Sequence, residues 1–142
     1  MDKDLIPVHN NLITSEINKF NDISLKILFK CISVYMDNKQ SILQHNIYLK
    51  ELIQTENYNS IKKSFKQITQ MIYIEDTKSK KIETTAIFEL GSKYKNGYFS
   101  FTFTDYFIQF IDNLKKGNFT IIDINNILKL KTSYAIKLYL YL

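Results

Sequence analysis

Eight lysines in the middle of this 142-residue chain have the type and spacing to grip phosphate. Lys62 and Lys66 stand one helical turn apart, with Lys63, Gln67 and Gln70 alongside. Lys78, Lys80 and Lys81 follow in one short polar run, and Lys93 and Lys95 stand in the next. Ammonium groups in such clusters neutralise nucleic-acid phosphates, and a Gln amide can pair with an adenine edge. Three lysines on one helix face are also what an ordinary solvated surface looks like. The separate clusters further along tip the reading towards phosphate.

The kind of cation limits the mode of contact. All nineteen basic residues are Lys and none is Arg. Arg grips guanine edges and phosphates with a planar fork, whereas Lys acts as a mobile point charge. Contacts that position a duplex without reading its sequence are therefore expected. If three to five lysines engage, log K should fall against log salt with a slope of roughly −3 to −4.5.

Catalysis has little to stand on. His9 and His45 are far apart in the chain, and the single Cys31 sits on the apolar stripe of a helical pattern, where a thiol is a core residue. Three glycines form no phosphate loop, and the scattered acids make no metal set. The chain is expected to be non-enzymatic, with neither cofactor nor metal.

Length and composition set the frame for these residues. A chain of 142 residues, 45% hydrophobic, can bury one core, so residues 1–142 read as a single domain. No stretch reaches the ~18 apolar residues of a membrane span, and Met1-Asp2-Lys3-Asp4 opens no secretory signal. One cysteine suits a reducing compartment, so a cytoplasmic location away from membranes is expected. The net charge of +5 suits nucleic acid or an acidic partner.

The lysines must be positioned by the elements around them. Leu5–Phe20 has little periodicity and reads as an extended or irregular lead-in. A helix starts at Asn21-Asp22 with Ile23, Ile27, Leu28, Cys31, Val34 and Tyr35 on one face, Lys26, Lys30, Ser33 and Asp37 on the other, and ends at Asp37-Asn38. A second, shorter helix is expected over Ile47–Gln54, a turn at Thr55-Glu56-Asn57, and a third helix over Tyr58–Met71 burying Ile61, Phe65 and Ile68. That pair has helix-turn-helix form, with the lysines on its second member.

The period then changes to two. Met71–Glu75 reads as a strand, and Asp76–Lys80 and Gly91–Gly97 (with Asn96-Gly97) as turns. In Lys81–Leu90 the set Ile82, Thr84, Ala86, Phe88 and Leu90 is expected to face inward; in Tyr98–Thr104, Phe99, Phe101 and Phe103. A further helix capped by Asp105 buries Phe107, Ile108, Ile111 and Leu114, and stops at Gly117 after Lys115 and Lys116. Phe119–Leu142 reads as two short helices. The last, from Tyr134, has one charge and no polar face, which predicts burial on every side. Three helices, a β-hairpin wing and further C-terminal helices make an α+β winged helix-turn-helix, with the lysines on its third helix and at its hairpin turns.

The residue strings also resemble a family. Leu130–Tyr139 (Leu-Lys-Thr-Ser-Tyr-Ala-Ile-Lys-Leu-Tyr), preceded by Phe119-Thr120, is similar to the close of the first winged-helix domain of plasmid replication initiator proteins. Val8–Ile13 resembles that domain's opening, Tyr58–Ile74 its helix running into a strand, and Phe101–Leu114 its strand running into a helix. The resemblance implies a chain that works on direct repeats in a plasmid origin and meets host replication proteins. It further implies that this first domain touches the DNA backbone and forms a homodimer; the family's second winged helix is absent here, as expected of a truncated first domain or of a short single-domain relative. Lys137 and Leu140 stand where the family usually has Arg and Glu, so a charged pair is lost. Two other readings are a winged-helix transcriptional regulator and a protein-interaction module with a merely solvated lysine face.

Overall fold

Helix α1, Asp22–Asn38, is the centre of the molecule, and its sequence explains why. Asn21 caps it, the Asn21 Oδ1 accepting from the Ser24 N–H at 2.8 Å. Leu25, Ile27, Leu28, Phe29, Cys31 and Ile32 are all wholly buried, so the apolar surface runs round most of the helix instead of one stripe. Ser33, expected on the outer side, is buried as well. The computed structural model describes residues 5–9, 15–38, 44–51, 58–76, 78–112 and 119–141.

The lead-in is more ordered than its weak pattern suggests. Strand β1, Leu5–His9, pairs antiparallel with a late strand, Phe119–Asp123, that the sequence reading gave to a helix. A short 3-10 turn, Glu16–Lys19, follows, with Ser15 accepting from the Ile17 N–H.

The second expected helix is corrected. Ile47 and Tyr48 lie in strand β2, His45–Tyr48, followed by a 3-10 turn at Leu49–Glu51. Alternation in HNIY decides this: His45 and Ile47 are buried while Asn46 is exposed, a period of two that a partner strand can satisfy. The expected turn at Thr55-Glu56-Asn57 and the helix end at Gln54 fall outside the described residues. Helix α2, Tyr58–Ile68, is in place and buries Ile61, Ser64 and Ile68; Met71, expected within it, begins the next strand instead.

Two hairpins follow. In the first, β3 (Met71–Asp76) pairs with β4 (Lys81–Ala86). In the second, β5 (Lys93–Lys95) pairs with β6 (Tyr98–Phe101), and β6 also pairs with β2, giving an antiparallel sheet of order β2-β6-β5. Lys93 and Lys95 therefore lie on a strand, and the turn between β5 and β6 is Asn96-Gly97 alone. Both residues have positive φ, 55° and 85°, as a tight two-residue hairpin of primed type requires. A strand between the first and later helices, joined in one sheet to a hairpin that follows them, is the winged-helix arrangement, with β5–β6 as wing.

The inward face of β4 is the reverse of expectation. Thr85 and Ile87 are buried, whereas Ile82 and Leu90 are exposed; Phe88, past the strand, is buried as expected. The register explains it. Ile72 opposes Thr85 and Ile74 opposes Glu83, and opposed residues share a face, so the two buried isoleucines of β3 choose the face of β4.

Phe88, Phe99, Phe101, Phe103 and Phe107 form a continuous ring cluster with centroids 5.0–5.7 Å apart, joining the wing to helix α3, Asp105–Asp112. The cap of α3 is Thr104, one residue before the expected Asp105. Its Oγ1 accepts from the Phe107 N–H at 3.1 Å and donates to the Ala86 carbonyl at 2.6 Å. Leu114 to Gly117 fall outside the described residues.

Strand β7, Phe119–Asp123, runs into α4, Ile124–Lys129, capped by Asp123; then comes α5, Ser133–Tyr141. Helix α5 is not buried on every side. Ile136 and Leu140 pack inward, but Tyr134 is 71% and Leu138 49% exposed, because α5 meets α1 along one stripe only.

Candidate nucleic-acid interface

Helix α2 is held by its inner face and leaves its lysines outside. Phe65 packs on Tyr94 of the wing at 5.4 Å and on Phe99 at 4.8 Å. Towards α1, four polar side chains close a network. Gln67 Oε1 accepts from the Asn21 N–H at 2.9 Å and the Ser24 hydroxyl at 2.7 Å, and the Ser64 hydroxyl donates to Asn21 Oδ1 at 3.2 Å. Ser24 and Ser64, both wholly buried, are small enough for the helices to approach.

This network corrects one expected site residue. Gln67 is half-buried with its carbonyl end fixed on α1, so it holds α2 in place instead of reading a base. The signal was present in the sequence: two serines on otherwise apolar faces, which need polar partners once buried.

Lys62, Lys63 and Lys66 are all exposed on the face of α2 turned away from the core, and the helix YNSIKKSFKQI contains no acid. Gln70 lies just past the helix end and is exposed. The structure thus brings the three lysines together on the acid-free outer face of α2, with Gln70 just past its C-terminal end.

Lys78, Lys80 and Lys81 are elsewhere. They stand at the far end of the β3–β4 hairpin, six residues of strand or about 20 Å beyond the end of α2. Asp76 organises that tip. Slight desolvation pushes its carboxyl up, but N–H donors from Lys78 and Ser79, the Ser79 hydroxyl and the Lys78 charge together hold it below the ordinary carboxylate value. Lys80 takes up a positive φ of 55° in the turn. Lys81 is paired with Glu83, whose carboxylate raises the Lys81 pKa. Lys78 and Lys80 are exposed and form no ion pair among the described residues.

The wing lysines do not join α2 either. Tyr94 faces α2, so its neighbours Lys93 and Lys95 point to the opposite side of the sheet. The expected phosphate contacts thus fall on three separate surfaces: α2, the β3–β4 tip and the outer face of the wing sheet.

The family described as Initiator Replication protein, WH1, matches residues 5–142. The chain belongs to that family. It is a winged-helix domain of a plasmid replication initiator, as the strings at Leu130–Tyr139 and Tyr58–Ile74 suggested. The match runs across both hairpins and α5, so the β3–β4 hairpin belongs to the WH1 domain along with the wing. None of the curated proteins matches the chain. Among the described residues of this WH1 domain, no three His, Cys, Asp or Glu side chains gather as metal ligands, and no helix is long and apolar enough to cross a membrane.

Proposed function

We propose that this WH1 domain binds duplex DNA through its phosphates, with the outer face of α2 as the principal contact and Lys78 and Lys80 at the hairpin tip as a second. It acts without catalysis, cofactor or metal. The observation that carries the reading is the exposed, acid-free face bearing Lys62, Lys63 and Lys66 on the helix the wing buttresses. With Gln67 tied to α1 and no Arg in the chain, this surface positions DNA more than it reads it. Recognition of origin repeats then belongs to a surface other than this one.

The test is fluorescence anisotropy of the protein on a labelled random duplex across a salt series. Replacing Lys62, Lys63 and Lys66 together by Ala should weaken binding and flatten the log–log salt slope by roughly 2.7, about 0.9 per phosphate contact. An unchanged slope sinks the assignment of α2.

A second reading, self-association, rests on a different surface. The outer side of the β3–β4 hairpin carries Met71, Tyr73 and Ile82, 65%, 56% and 65% exposed, around Thr84. Apolar side chains grouped on one face of a two-stranded ribbon suit a second copy of the chain. Sedimentation of the protein should show a concentration-dependent dimer that Tyr73→Lys abolishes; a dimer that persists in that variant places the interface elsewhere.

A further inference from the structure

We propose that the outer face of the β2-β6-β5 sheet binds single-stranded DNA, Tyr98 stacking on a base and Lys93 and Lys95 holding the neighbouring phosphates. This goes beyond the duplex contact and does not depend on it, since the face lies on the side of the sheet away from α2.

The register builds the site. Ile47, Phe99 and Tyr94 form the inward row. The rows on either side point outward: Asn46, Ser100 and Lys93 in one, Tyr48, Tyr98 and Lys95 in the other. None of these six is acidic, and neither Lys93 nor Lys95 has an ion-pair partner among the described residues. The rings of Tyr48 and Tyr98 lie beside each other with centroids 4.8 Å apart, and Tyr98 is 51% exposed. Tyr48 is braced from below: a Cβ on Gly97 would come within 2.9 Å of its ring, and the Leu49 N–H donates to the Gly97 carbonyl at 2.9 Å.

A strand surface with exposed aromatic rings flanked by lysines combines the two elements that hold unpaired nucleic acid: stacking and backbone charge. Lys93 and Lys95 are two strand residues, about 7 Å, apart, a spacing that successive phosphates of an extended strand can follow. A duplex cannot use the rings, because its base faces are hidden in the stack. An acidic peptide could use the lysines but would leave the rings idle. DNA is preferred to RNA because the Ser100 hydroxyl donates to Asn46 Oδ1, which leaves this face fewer free polar groups for a 2′-hydroxyl.

The chain has no Trp, so Tyr98→Trp installs a single indole reporter at the site. Titration of that variant with oligothymidylate should quench the indole. By anisotropy on labelled oligothymidylate, Tyr98→Ala should weaken binding about five- to a hundredfold. Replacing Lys93 and Lys95 by Ala should flatten the salt slope by about 1.4. Replacing Lys62, Lys63 and Lys66 by Ala should leave oligothymidylate binding intact, which separates this site from the duplex contact. Equal affinity of Tyr98→Ala with an unquenched indole overturns the proposal, and so does competition by polyglutamate as effective as that by oligothymidylate. Tighter binding of oligouridylate overturns the choice of DNA.

Discussion

His45 shows how much one buried side chain can say about conditions. It is 4% exposed, wedged against Tyr35 and Phe101 with ring centroids at 5.8 and 5.5 Å, and its Nδ1 has no hydrogen-bond partner among the described residues. Desolvation disfavours the imidazolium and lowers its pKa from the ordinary 6.5. The unfolded chain therefore binds more protons than the native one between that lowered value and 6.5, so stability is lost as pH falls through this window. The loss can reach about 1.4 kcal/mol per pH unit for one proton. Urea unfolding at a series of pH values below 6.5 should show that slope, and His45→Phe should remove it; a slope unchanged in the variant assigns the effect to other groups. Gln67 allows a second residue-scale prediction. Gln67→Ala leaves the Asn21 N–H without its acceptor and the Ser24 hydroxyl with only the Ser64 carbonyl at 3.3 Å, at a cost of about 1–3 kcal/mol in unfolding free energy. Its duplex affinity at low salt should match the parent protein, since the amide oxygen is held by Asn21 and Ser24. A selective loss of affinity for adenine-rich duplexes would restore Gln67 as a base reader. Cys31, by contrast, is simply core: burial pushes its thiol well up, which keeps it out of thiolate chemistry.

Among the elements, the wing turn is the most constrained. Gly97 has φ 85° and Tyr48 lies over it, so Gly97→Ala meets both backbone strain and a ring in the way. The two effects together should destabilise the domain by about 1–2 kcal/mol or more, measurable as a fall in thermal midpoint. Because Tyr48 must move, oligothymidylate binding should weaken as well, while duplex binding through α2 stays. A variant as stable as the parent would mean that Tyr48 swings away at no cost. Gly91, also at positive φ, has nothing near its missing Cβ, and the contrast isolates the crowding at Gly97. The two hairpins differ for a related reason. β5–β6 is welded into a sheet by β2 and filled by phenylalanines, whereas β3–β4 stands as a two-stranded ribbon with apolar residues outside. One is a scaffold; the other presents an exposed apolar face.

For the molecule as a whole, a net charge of +5 spread over separate lysine clusters predicts a salt-dependent ligand effect. Excess random duplex should raise the thermal midpoint at low ionic strength by mass action on the native state, and the rise should vanish towards 0.5 M salt, roughly where screening reaches a few ångströms. A rise that survives high salt would point to apolar or base-specific contact instead. The clusters are not one patch. α2, the hairpin tip and the outer sheet face present lysines in different places, and only the α2 set sits on a helix backed by the wing.

The amino-acid sequence by itself determined the elements with strong periodicity: α1, α2, the start of β3, the inward phenylalanines of β6 and the Asn96-Gly97 turn. Each carries its signal in neighbouring residues, as an apolar stripe, an alternation or a pair able to take positive φ. It also carried the family, through Tyr58–Ile74 and Leu130–Tyr139, and the lysines of α2. What only the tertiary structure decided is everything set by a distant partner. β2 is a strand because β6 lies beside it, β1 and β7 define each other across the whole length of the chain, and β4 turned its other face inward because Ile72 and Ile74 had already chosen. Gln67 turned from the lysine face of α2 for the same reason: Asn21 and Ser24, more than forty residues earlier, offer it hydrogen bonds that no local pattern encodes.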